Sequence, residues 1–129
     1  MTSGMTENPL TTLRRICLSF PEAREVEAWG APTFRVKTMF ASYSDGSFTK
    51  DDRPSVWIKA EPVNQQLLVR RDPDRFFVPP YLGVKGWVAV RLDQPVPNWA
   101  EIRDLLWDAW GMSVTKTLLK KHPEPPGEG

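Results

Sequence analysis

Residues 81–93 read YLGVKGWVAVRLD, and the second half of that stretch is the clearest strand in the chain. Val88, Val90 and Leu92 alternate with Trp87, Ala89 and Arg91. A period of two puts the first set on one face of a β-strand and the second on the other. The Gly83-Val84-Lys85-Gly86 segment in front of it has two readings. It is a loop that brings backbone close to a phosphate, as the GxxG loop of KH domains does, or it is the turn into the strand. A KH loop joins two helices whereas this one leads into a strand, so the turn is the preferred reading.

Working outward, the same alternation appears at Phe34 and Val36 against Arg35 and Lys37, and at Val56 and Ile58 against Trp57 and Lys59. Met39 to Tyr43 is expected to return antiparallel after the first of these. SDGSFTKDDRPS, residues 44–55, is polar and turn-rich and reads as a long exposed hairpin loop. RFFVPPY, residues 75–81, reads as a short strand that Pro79 and Pro80 confine to an edge.

The helices lie outside these runs. Asn8 can cap and Pro9 fits the first helical position, after which Leu10, Leu13, Cys17 and Phe20 form one apolar stripe until Pro21 ends it. Pro62 opens a second helix carrying Val63, Leu67 and Leu68, broken at Asp72-Pro73. Asn98 with Glu101 has the spacing of a capping box, followed by a stripe of Trp99, Ile102, Leu106 and Trp110. Gly111 suits the C′ position, and Ser113 can cap a last helix bearing Val114 and Leu118.

The order is helix, three strands, helix, two strands, one or two helices. It predicts an α+β domain: a two-layer sandwich with one mostly antiparallel five-stranded sheet and helices on one face. Residues 1–8 read as a flexible N-terminus, 9–121 as a single domain and 122–129 as a disordered, proline-rich tail.

Composition narrows the function. The 129 residues suit one domain, and a formal net charge of +1 argues against coating nucleic acid by bulk charge. Cys17 is the only cysteine and falls among Leu13, Ile16 and Phe20, so it reads as a small buried hydrophobe with no disulfide partner. His122 is the only histidine. Without a positioned imidazole or a Cys/His set, neither a nucleophilic triad nor a zinc site is expected. Adjacent Asp51 and Asp52 in a loop read as solvated charge. No Walker-type loop and no dinucleotide fingerprint is present. The expectation is a protein that is no enzyme and uses no cofactor and no metal. With no apolar run of membrane-spanning length and no secretory leader, it is expected to be cytoplasmic.

What remains is binding. From Arg35 to Arg91 the basic residues number ten and the acidic six, so any excess positive charge lies on the sheet region. Arg35, Lys59, Lys85 and Arg91 are the candidates for nucleic-acid contact, with Tyr81 and Trp87 as stacking or pocket residues. A protein- or peptide-binding module using exposed Trp57, Phe77 and Tyr81 is the alternative.

AWGAPTFRV at 28–36, MFAS, VWIKA, VPPYLGVKGWVAVRLD and WAEIRDLLWDAWGM together resemble the MmcQ/YjbR family of small bacterial proteins, over roughly Leu10 to Leu119. The most specific pieces are WGAPTFRV at Trp29 to Val36 and GWVAVRLD at Gly86 to Asp93. The chain departs from the family pattern in having only Lys37-Thr38 where a glycine-containing turn is usual, and SVTKTLLK where a basic pair stands near the end. The resemblance implies a fold like that of type III secretion chaperones, α-β(3)-α-β(2)-α. It also implies a double-wing DNA-binding role, in which strands and their loops meet the duplex, and it supplies no catalytic residues. On that basis Lys85 would touch phosphate from a turn beside Arg91.

Overall fold

The computed structural model describes residues 8–47, 49–94 and 96–126. The elements run α1 (Pro9–Ser19), β1 (Arg24–Ala28), β2 (Ala31–Arg35), β3 (Met39–Ser44), β4 (Ser55–Ile58), α2 (Pro62–Arg71), β5 (Phe76–Phe77), a 3₁₀ turn (Leu82–Lys85), β6 (Val88–Arg91), α3 (Trp99–Gly111) and α4 (Lys116–Lys121). The strands form one sheet in the order β1-β2-β3-β4-β6-β5, every neighbouring pair antiparallel.

The sheet has six strands where five were expected. The extra one is β1, whose sequence REVEA carries a single large apolar residue, Val26. It is an edge strand that pairs only with β2. Its polar alternation therefore lacks the hydrophobic signature of a half-buried strand.

The elements form where local chemistry favours them. Asn8 accepts the Leu10 N–H at 2.8 Å and Pro9 follows at the first helical position. Asn98 accepts the Glu101 N–H at 3.2 Å at the start of α3. The Glu101 carboxylate does not close the reciprocal half of a capping box. It accepts instead from Arg75 and Arg71, each at 2.5 Å, and so ties α3 to the end of α2. Two boundaries differ from the sequence reading. Helix α3 includes Gly111 and ends at Met112 in right-handed geometry, so Gly111 is no C′ residue. The last helix is capped by Thr115, which accepts from Leu118 N–H, while Ser113 is buried and donates to the Ala109 carbonyl. In the segment that starts at His122, residues 123–125 are exposed while two contacts reach the body. His122 meets Trp110 edge-on and Arg103 donates to the Pro126 carbonyl at 2.8 Å. Residues 1–7 and 127–129 lie outside the described residues.

The main core lies between the helices and one face of the sheet. Leu13, Cys17 and Phe20 come from α1 and its end, and Ile102, Leu106, Ala109 and Trp110 from α3. They meet Phe34, Ala41, Val56, Ile58, Val88 and Val90 from the strands. In α2, Val63 and Leu67 are exposed, while Leu68 and Val69 pack against the core. A β-bulge adjusts β3. Phe34 pairs with Ala41 but Arg35 with Met39, so Phe40 is the extra residue and joins Ala41 in the core.

Two outcomes follow from this packing. Leu106 is fully buried, so Leu106→Ala is expected to cost about 2–5 kcal/mol in denaturant unfolding. Full stability in that variant would contradict the layered core. Burial pushes the Glu101 carboxyl up, but the hydrogen bonds from Arg75 and Arg71 outweigh it and hold it below its ordinary value. A carboxylate with a depressed folded pKa stabilises above its unfolded pKa, about 4.3, and that contribution is lost as pH falls through the folded value. Glu101→Gln is therefore expected to lose on the order of 1 kcal/mol at neutral pH, and the gap to wild type should close in acid unfolding curves.

Candidate nucleic-acid interface

The face of the sheet away from the helices is not uniform. Across its middle runs the rung Val26, Thr33, Ser42, Trp57, Ala89 and Phe77, fixed by the pairing register. Trp57, 8% exposed, Trp87, 4% exposed, and Ala89 form a second small core here, flanked by Met39, Phe77 and Leu82 of the 3₁₀ turn. All four residues of β4 are consequently buried, an apolar pair on the helix side and Ser55 and Trp57 on the other. The indole N–H of Trp57 donates to Ser55 Oγ at 3.1 Å. Trp87 is thus a packing residue and not a surface stacking platform, and Trp57 does not join Phe77 and Tyr81 on an exposed peptide-binding surface. Tyr81 is 77% exposed, with φ +64° at the start of the 3₁₀ turn.

GVKG is a turn, and its backbone is already engaged. The N–H groups of Gly83, Gly86 and Trp87 donate to the carbonyls of Pro79, Gly83 and Leu82. Gln65 of α2, buried and not singled out by the sequence, donates its side-chain amide to the Gly83 and Trp87 carbonyls at 2.8 and 2.7 Å. Gly86 has φ +100°, and a Cβ there would lie 2.8 Å from the Ala60 carbonyl oxygen and from Pro62. The phosphate-cradling reading of this segment therefore gives way to close packing against the start of α2.

Beside this small core the open face is basic. Arg24 and Arg35 oppose each other directly across β1 and β2, and Arg35 opposes Met39. Arg35 Nε donates to Thr33 Oγ1 at 3.2 Å, and Arg24 Nη1 to the Val36 carbonyl at 2.8 Å. Lys59, just past β4, donates from Nζ to Thr38 Oγ1 at 2.9 Å. Burial, and then the charge of Lys85, push its ammonium below the ordinary lysine value. Among the described residues no carboxylate stands within ion-pair distance of Arg24, Arg35, Lys59 or Lys85. Like charges directly opposed across a strand pair are destabilising, so this end of the face stores positive charge that the fold does not neutralise.

Arg91 is elsewhere. It pairs in register with Ser55, two rungs from Lys59 or about 13 Å along the strand. Its guanidinium lies 4.4 Å from the Phe77 ring centroid and 3.3 Å from Asp51 Oδ2, with 17% of the side chain exposed. Asp51 itself is held below the usual carboxylate range, chiefly by the Thr49 hydroxyl and then the Arg53 N–H, with Arg91 contributing less. The 45–54 loop is pinned further by Arg53 to Asp93 at 2.6 Å. Of the four basic candidates, then, Arg35, Lys59 and Lys85 share one end of the face. Arg91 is neutralised at the other, and Lys85 neighbours Lys59 rather than Arg91. Arg24 escaped the sequence reading because its strand did. The charge alternation of REVEA, Arg24 and Val26 against Glu25 and Glu27, was the signal that could have found it.

Residues 18–112 match the family described as YjbR. The chain belongs to the YjbR family. The crystal structure of the Deinococcus radiodurans protein DR2400, a DUF419 protein, superposes with a TM-score of 0.69 at 23% sequence identity, covering 92% of each chain. At that identity the likeness establishes the shared fold. Among curated proteins none matches the sequence. In this YjbR chain the two motif stretches occupy different parts of the sheet. WGAPTFRV forms the β1–β2 turn and β2, and GWVAVRLD forms β6 between β4 and the edge strand β5.

The close packing at Gly86 sets an expected outcome. Gly86→Ala combines an unfavourable φ with a collision against backbone, and is expected to destabilise the fold by more than about 1 kcal/mol in thermal unfolding. An unchanged melting temperature would mean that the turn repacks freely.

Proposed function

We propose that this YjbR-family protein binds DNA through the basic end of its open sheet face, with Arg24, Arg35, Lys59 and Lys85 on the phosphate backbone. The observation that carries this reading is the uncompensated charge: four cations, two of them directly opposed, with no acidic partner within ion-pair distance among the described residues. A polyanion relieves that repulsion, and each neutralised phosphate releases counterions. Phosphate contacts fix position without reading sequence. The protein acts on this reading as a binding module rather than an enzyme, and a DNA ligand implies a cytoplasmic location. Among the described residues no helix is long and apolar enough to cross a membrane. The peptide-binding alternative is less well supported because Trp57, one of its three aromatic residues, is buried.

The test is a titration of duplex DNA at several salt concentrations. Wild type is expected to bind with steep salt dependence. Lys85→Ala and Arg35→Ala should each weaken binding about equally for all sequences and flatten the log–log slope by about 0.9. Arg91→Ala should leave the slope unchanged, because Asp51 already neutralises that guanidinium. Absence of binding by wild type at low salt, or an unchanged slope in Lys85→Ala and Arg35→Ala, would refute the proposal.

A further inference from the structure

The β1–β2 hairpin ends in a two-residue turn, Trp29-Gly30, closed by the Ala28–Ala31 pair. Both turn residues have positive φ, +53° and +75°, the requirement of a type I′ turn. Asn-Gly is the favoured pair for such a turn, because asparagine tolerates left-handed backbone and a bulky side chain does not. This chain instead places tryptophan at the strained position and leaves it 90% exposed. The indole is not among the residues packed into either hydrophobic core. A strained backbone carrying a large unburied ring is a cost that folding does not recover. Strained positions of this kind cluster at functional sites.

We propose that Trp29 is a nucleobase-stacking residue at the tip of this hairpin. The inference rests on the DNA-binding reading above and deepens it by naming a base contact. The two arginines on the open face of the same hairpin select an anionic ligand, while Glu25 and Glu27 alternate onto the opposite face. Its root carries the opposed Arg24 and Arg35, four residues from the Ala28–Ala31 rung, or about 14 Å along the strands. That span is about four stacked base steps of 3.4 Å, and fewer nucleotides of an unstacked strand, so one strand of nucleic acid can lie with phosphates at the root and a base on the indole. A cationic track with an aromatic platform is the combination that binds unpaired bases irrespective of sequence. The ring stacks on a base that is already unstacked, so single-stranded DNA is the better ligand for the tip and fully paired duplex the poorer one.

The experiment compares wild type, Trp29→Asn and Trp29→Phe for a single-stranded oligonucleotide and the matching duplex, at two salt concentrations, alongside thermal unfolding. Trp29→Asn suits the turn and is expected to melt at or above the wild-type temperature. Its affinity for the single strand is expected to fall roughly 5- to 150-fold, with less loss for the duplex and no change in salt slope. Trp29→Phe should recover much of the loss. If wild type shows no salt-dependent binding at all, the DNA-binding reading itself fails. If wild type binds with its salt slope and Trp29→Asn binds equally well, only the stacking inference is overturned. It is likewise overturned if wild type self-associates in sedimentation and Trp29→Asn does not, since the ring would then be a contact between copies.

Discussion

Burial of Trp57 on the helix-free face of the sheet constrains the rest of the molecule. A tryptophan buries a large apolar area, and on a central strand it cannot be left to water on one side while Val56 and Ile58 fill the core on the other. Ala89 pairs opposite it, Trp87 packs beside it, and Leu82 of the 3₁₀ turn packs against them. That turn must therefore come back over the sheet, which requires the left-handed Gly86 and the amide of Gln65 holding two of its carbonyls. The apolar half of the face is consumed in this way. What stays open includes the end that carries Arg24, Arg35, Lys59 and Lys85.

The same division separates structural from available charge. Arg14 grips Glu25 through two hydrogen bonds, Arg71 and Arg75 share Glu101, Arg53 meets Asp93, and Arg91 meets Asp51. All but the first join elements distant in sequence, and at these exposures each contributes at most on the order of 1 kcal/mol while fixing geometry. Arg24, Arg35, Lys59 and Lys85 make only neutral hydrogen bonds or point to solvent. A near-neutral chain can thus present a local field of one sign, because the ion pairs of its fold engage carboxylates away from these four cations.

The sequence by itself determined what short-range chemistry controls. The stripe of α1, the alternation of β6, the Asn8 and Asn98 caps, the turn character of GVKG and the antiparallel α+β class were legible, since each depends on periodicity or on one residue's backbone preference. The tertiary structure decided everything that depends on register and on what covers a face. REVEA became a strand only because β2 offered it a partner, and that pairing set Arg24 opposite Arg35. The bulge at Phe40 turned that ring into the core. Trp57 and Trp87 read as exposed or half-exposed until a turn from beyond β5 closed over them, and Arg91 read as free until a loop forty residues earlier supplied Asp51. Alternation states which residues share a face. It cannot state whether water or another segment lies against that face, because the answer belongs to contacts between residues far apart in the chain.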